Sequence, residues 1–163
     1  MHSQIETIFD EAENRYLRTE ELNVLSQYVD SLPERMETYR MIRDRELDIM
    51  QKVADQLQVE MAQETVEALE RSIKNALLAL RYCAIGALLN DEKFVQDRLL
   101  SWLEQRMHVY STEAIDTALY QLLNQELRQV LGIRYMRYLS PMLTLVETAL
   151  FKHPPMTASA NGR

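Results

Sequence analysis

The chain has 163 residues, 47% of them hydrophobic, with three glycines, four prolines, one cysteine and a formal net charge of −7. That is enough chain for one domain with a real core, and too few glycines and prolines for the many turns of an all-β fold. The acidic balance argues against nucleic acid and anionic membrane as main partners, and a single thiol excludes an internal disulfide framework or a multi-thiolate metal site.

The first stretch, MHSQIETIFDEAENRY, lacks the apolar run of a signal peptide, and no run of about 18 consecutive apolar residues follows it, so neither a leader nor a transmembrane helix is expected. Residues 3–12 predict a short helix with Ile5, Ile8, Phe9 and Ala12 on one side and Ser3 with Glu6 as a capping box. Thr19 opens a second helix whose face is Leu22, Leu25 and Val29. Leu32-Pro33 ends it, and Pro33 suits the first turn of the next.

Glu34 to about Met61 predicts a long helix with a stripe of Met36, Tyr39, Ile42, Ile49, Val53, Leu57 and Met61, interrupted by Glu46. Arg35, Arg40, Arg43 and Arg45 cluster on it. Because Glu37, Asp44, Glu46 and Asp48 interleave with them, a self-paired solvated face is a simpler reading than an anion site. A break is expected near Val59 to Gln63, with no glycine or proline to mark it.

The central helix, Ala62 to Asp91, has Val66, Leu69, Ile73, Leu77, Leu80, Ala84 and Leu88 at spacings of three and four. Ala76, Ala79, Ile85 and Ala87 widen that stripe, the pattern of a helix entering a core. Asn90 and Asp91 supply a stop and a cap. The next helix runs to about Met107, with Phe94, Leu99, Leu100, Leu103 and Met107 inward and Trp102 beside them. Ser111 caps another, with Ile115, Leu119, Leu122, Leu123, Leu127 and Val130 on its face and Gly132 closing it. The last helix covers about Arg134 to Phe151, with Met136, Leu139, Leu143, Val146 and Leu150 inside. Pro141 either kinks it or marks its true start with Ser140 as cap. A single domain over residues 1–151 and a disordered tail over 152–163 follow from this pattern.

Chemistry-bearing motifs are scarce. No phosphate-cradling glycine loop exists. His2 and His153 lie near the ends, and Cys83 sits in an apolar run where a thiol stays protonated. Glu104 and His108 form one carboxylate–histidine pair, whereas a di-iron bundle repeats Glu-x-x-His on two helices. His108 is the one internal candidate for a haem ligand, but a polar residue at a helix end reads more simply. Met50, Met61, Met107, Met136 and Met142 fall in register with other apolar residues and read as core filler. With no convergent acid, base and nucleophile, no enzyme and no metal site are expected.

Three short stretches carry a family resemblance: Arg15-Tyr16-Leu17-Arg18-Thr19-Glu20-Glu21-Leu22, Ala54-Asp55-Gln56-Leu57, and Leu80-Arg81-Tyr82 followed by Asn90-Asp91. With the order of elements, they make residues 5–151 similar to the phycobiliprotein subunits of cyanobacterial phycobilisomes. The resemblance implies an all-α, globin-like fold with an N-terminal helical pair and about six core helices.

In that family a cysteine nine residues before the arginine of Leu-Arg-Tyr bonds the bilin; here the position is Ser72. The family's following Arg-Asp is Lys74-Asn75, and the loop before the central helix is shorter and lacks glycine and proline. Ser72, Lys74 and Asn75 therefore stand as degenerate bilin-site positions. The resemblance implies no covalent bilin and leaves a non-covalent tetrapyrrole open. In the family an acid near the N-terminus of one subunit pairs with the Leu-Arg-Tyr arginine of its partner, and Glu11 and Arg81 occupy those positions. Ile5, Ile8 and Phe9 would be exposed unless a partner covers them, with Arg15 and Tyr16 at the same edge. Asn14, in place of a family glycine, tolerates a positive φ.

The implied function is non-catalytic: a pigment-free phycobilisome subunit, cap, assembly or turnover factor. It would dimerise through its helices with itself or a phycobiliprotein-like subunit, in the cytoplasm or at the cytoplasmic face of the thylakoid. The alternative is a globin-like sensor holding a tetrapyrrole or other apolar ligand non-covalently. A bilin-handling enzyme ranks behind both.

Overall fold

The computed structural model describes residues 3–100 and 112–151. Expectations resting on His2, Trp102, Leu103, Glu104, Met107, His108, Ser111, His153 and the tail 152–163 lie outside the described residues.

Among the described residues every regular element is helical. Helix α1 is Ser3–Ala12 and α2 is Thr19–Asp30. Glu21 closes the start of α2 by accepting the Arg18 backbone N–H at 2.8 Å, the backward half of a capping box. Helix α3, Leu32–Glu60, carries Pro33 in its first turn, where a missing N–H costs nothing. Residues 61–65 turn the chain, and Thr65 caps α4, Val66–Leu89, by accepting the Ala68 N–H at 3.2 Å. The central helix therefore starts four residues later than its apolar pattern suggests, because Thr65 is the preferred N-cap residue type in that stretch and its hydroxyl takes a free amide.

Asn90 ends α4 in the left-handed conformation (φ 52°, ψ 48°), and the Asp91 N–H reaches back to the Gly86 carbonyl at 2.9 Å. Asp91 then caps the short α5, Glu92–Val95, accepting the Phe94 N–H at 3.2 Å, and a π-helical turn, Gln96–Leu100, follows. A methyl group on Gly86 would stand 2.5 Å from Val95 Cγ2, so this glycine lets α5 lie against α4. Helix α6, Glu113–Phe151, has two limbs meeting at Gly132 (φ 65°, ψ 178°).

Helices α3, α4 and both limbs of α6 enclose the core. Val53, Leu57, Ala76, Ala79, Leu80, Leu119, Leu123, Leu127, Leu139 and Val146 are fully buried there. Helix α4 has the length and hydropathy of a membrane span, yet it carries this core's central stripe and 44% of its apolar window is buried. Length and composition alone do not separate those two roles.

Several local expectations change. Fewer helices occur among the described residues than the pair plus six, since the two expected after Ser111 form one run bent at Gly132. Ser140 is no cap: backbone helicity continues through Pro141, which faces solvent. Asn14 does not adopt a positive φ, which among the described non-glycine residues only Asn90 does. Its turn is instead closed by the Asn14 N–H on the Glu11 carbonyl at 3.2 Å.

Candidate functional site

Ser72 lies on the face of α4 that meets α6 and is 1% exposed. Its hydroxyl faces the Asp116 carboxyl without closing a well-directed hydrogen bond. Asp116 is itself buried and accepts the Thr112 hydroxyl at 2.8 Å. Burial raises the Asp116 pKa against the opposing help of the Thr112 and Ser72 hydroxyls. Cys83, eleven residues on and so three turns along the same face, is sealed in the core, where burial pushes its thiol pKa up. Tyr120 beside it is raised for the same reason, and half-buried Glu147 is raised by burial although the Asn124 amide donates to it. Lys74 points to solvent and Asn75 is half-buried. A buried hydroxyl offers no thioether, and the one nearby thiol is inaccessible; the residues at this position do not fit a covalently bound bilin.

The N-terminal pair presents a different surface. Arg15 binds Glu21 through two bonds of 2.7 and 2.9 Å and Glu11 through one of 2.5 Å. This forked guanidinium, with the Arg18 amide, holds the Glu21 carboxyl down to about 2. Tyr16 at the turn is 98% exposed. Ile5 and Ile8 are already buried within the chain, which removes them from the surface expected to await a partner. What remains open is Phe9 (48% exposed), Leu22 (50%), Val29 (54%), and, continuing into α3, Leu32 and Met36. Leu22, Val29 and Met36 recur every seven residues, and α2 buries no residue at all.

Glu11 and Arg81 are not brought together within one chain. Arg81 forms a two-bond pair with Glu46 across α3 and α4, at 2.6 and 2.9 Å. Both Glu11 and Arg81 keep more than half of their side chains exposed (56% and 58%), so either can also meet a group from outside.

The sequence profile of the Phycobilisome protein family matches residues 9–141. This chain belongs to that family. The match runs from Phe9 in the N-terminal pair to Pro141 in the second limb of α6, so it takes in all of the core except its last residues, Met142, Leu143, Val146 and Leu150. No curated protein matches the chain individually.

Four features of this phycobilisome-family chain escaped the sequence reading. Arg35 is fully buried rather than part of a solvated arginine face. It donates to the Leu88 carbonyl, to the Tyr28 carbonyl at 2.7 Å and to Ser31 Oγ at 3.0 Å, and it lies 4.4 Å over the Tyr28 ring. The Tyr28 hydroxyl donates to the Leu89 carbonyl at 3.2 Å, so one clamp ties the C-terminal ends of α2 and α4 to the start of α3. The carbonyl ends of two helices offset the buried charge. The signal was the register 35, 42, 49, which places an arginine on the apolar stripe. Glu46, on that stripe, likewise signalled a polar contact, which Arg81 supplies. Asp116, one turn before Leu119 and Tyr120, signalled a buried acid. Beside Arg35 at the start of α3, Glu34 gathers Arg134, Arg137 and the Tyr138 hydroxyl from the second limb of α6, and its carboxyl is held down to about 2, chiefly by Tyr138 and Arg134.

Proposed function

We propose that this protein is a non-catalytic, pigment-free phycobilisome component that works by association through its N-terminal helical pair. The observation that carries the reading is the set of open apolar side chains Phe9, Leu22, Val29, Leu32 and Met36 along α1, α2 and the start of α3, with no residue of α2 fully buried. A helix with no fully buried residue and an open apolar flank gains stability when a partner covers that flank. The partner is a second copy or another phycobilisome-family subunit, with Glu11 and Arg81 fixing register across the interface. Burial of a serine, Ser72, at the position of the family's bilin-bearing cysteine supports the absence of a covalent bilin, and the site of action is the cytoplasm or the cytoplasmic face of the thylakoid.

Sedimentation of the purified chain, alone and mixed with phycobilisome subunits, tests the association. Leu22→Glu with Val29→Glu is expected to abolish the complex while leaving the helical circular dichroism intact. Charge exchange then separates the two roles of Arg81. Arg81→Glu with Glu46→Arg restores the pair inside the chain, whereas Arg81→Glu with Glu11→Arg restores a pair between chains; only the second should recover assembly. A monomer that binds no phycobilisome subunit would sink the reading. Protein purified from its own host should lack bilin absorption after denaturation in acid, and a pigment released from the native protein without denaturation would favour the sensor alternative.

A further inference from the structure

The open apolar side chains of α2 run on into α3. Leu25, Leu32 and Tyr39 follow Leu22, Val29 and Met36 at a distance of three residues each, so the six alternate at spacings of three and four, the a and d pattern of a two-helix seam. Ser31 keeps helical dihedrals (φ −79°, ψ −14°) between α2 and α3, so the seam crosses the junction in register. All six side chains are exposed or half-buried. At the far end Tyr39 lines a pocket of about 290 Å³, with buried Ile42 and Ala84 in its wall and Arg43, Glu46 and Arg81 around it. Small-molecule sites measure about 300–1,000 Å³, so this one suits a single side chain better than a cofactor.

Just before the other end of the seam stands Tyr16, 98% exposed. Its backbone is tied down, because Arg15 donates to the Tyr16 carbonyl at 3.1 Å while gripping Glu21 and Glu11. An aromatic ring carried into water on a braced turn has much apolar area to bury and little backbone freedom to lose on docking. Around it the exposed acids Glu11, Glu13 and Glu20 outnumber the one exposed base, Arg18. The pocket presents the opposite sign, since Arg43 and Arg81 keep 61% and 58% of their side chains exposed.

We propose that Tyr16 of one copy seats in this pocket of a second copy, and that two such contacts close the dimer. The inference rests on the association through the N-terminal pair proposed above, and names its partner and its anchor. Laid antiparallel about a two-fold axis, two copies of the seam put Leu22 of each against Tyr39 of the other, Leu25 against Met36 and Val29 against Leu32. The turn before Leu22 then meets the residues beyond Tyr39, which are those of the pocket. There the ring is covered by Ile42 and Ala84, with the Arg43 and Arg81 guanidiniums beside it, the aromatic-and-arginine pairing that dominates binding energy at interfaces.

Sedimentation equilibrium of the full chain reads the anchor. The parent should be a dimer, with its dissociation constant raised about tenfold or more by Tyr16→Ala and little changed by Tyr16→Phe. Tyr16 is exposed, so both variants should keep the helical circular dichroism of the parent. Photocross-linking reads the pocket. A chain with benzoylphenylalanine in place of Tyr16, mixed with isotopically labelled parent, should join its probe to labelled peptides from residues 39–46 or 81–85. If Leu22→Glu with Val29→Glu leaves association intact, the proposed association fails and this inference with it. If that variant dissociates but Tyr16→Ala does not, or the adduct falls elsewhere or on the probe's own chain, this inference alone fails. A parent that stays monomeric and binds only another phycobilisome subunit also overturns it, since the pocket's occupant is then not a second copy.

Discussion

Helices α2 and α4 are both amphipathic, and the chain uses them in opposite ways. Helix α4 buries Leu69, Ala76, Ala79, Leu80, Cys83, Ala84 and Ala87 against α3 and α6, while α2 has no fully buried residue. The small residues of α4 allow close approach of its neighbours, so its stability is settled inside the chain. Helix α2 keeps larger side chains, Leu22 and Val29, about half exposed, and is held by its ends: Glu21 at the start, Tyr28 and Arg35 at the finish. A helix secured at its termini but open along its flank is what the proposed association requires.

Truncation should separate the two most sharply. Leu80→Ala, at a fully buried position, is expected to cost about 2–5 kcal/mol in urea unfolding. Leu22→Ala, on the open flank of α2, should change monomer stability by less than about 0.5 kcal/mol, and register only in assembly. Equal losses at the two sites would mean that α2 is packed within the chain after all.

The clamp between the helices is the next largest effect. Arg35→Leu fills similar space but strips the Leu88 and Tyr28 carbonyls of their donor, with an expected loss of about 2–3 kcal/mol. It should also speed amide exchange at the C-terminal end of α2 before that of the α4 interior. Exchange that accelerates uniformly would show that Arg35 holds the fold as a whole and not this junction.

The contrast between core and flank also marks what could be read from sequence. Spacings of three and four gave α4, and Pro33, Asn90 and Gly132 marked turns that the backbone does make there. Polar residues on apolar stripes were harder. Arg35, Glu46 and Asp116 are all in register with buried neighbours, but which charge is buried depends on a partner dozens of residues away. Arg35 answers to Leu88, Glu46 to Arg81, and Asp116 to Ser72 on another helix; periodicity within one helix carries no information about those pairings. Burial of Ile5 and Ile8 was invisible for the same reason.

The smallest effects are electrostatic, and their signs distinguish interior from surface. The Glu34 carboxyl is held down from 4.5 to about 2, so its contribution is fully present above pH 4.5 and is lost as pH falls toward 2. Glu34→Gln should therefore be less stable than the parent at neutral pH, with the gap closing on acidification. Asp116 is raised above 3.8 by burial, so the folded chain holds its proton more tightly than the unfolded one, and ionisation destabilises the fold as pH rises. Asp116→Asn should be more stable than the parent at neutral pH, with that gap closing as pH falls below 3.8. Salt should shrink the Glu34 difference, since its arginines are solvent-exposed, and leave the Asp116 difference nearly unchanged. Thermal melts of the two variants across pH and salt read both signs directly. A neutral-pH gain for Glu34→Gln, or a loss for Asp116→Asn, would reverse the assignment of which carboxyl the fold uses as an ion and which it has merely enclosed.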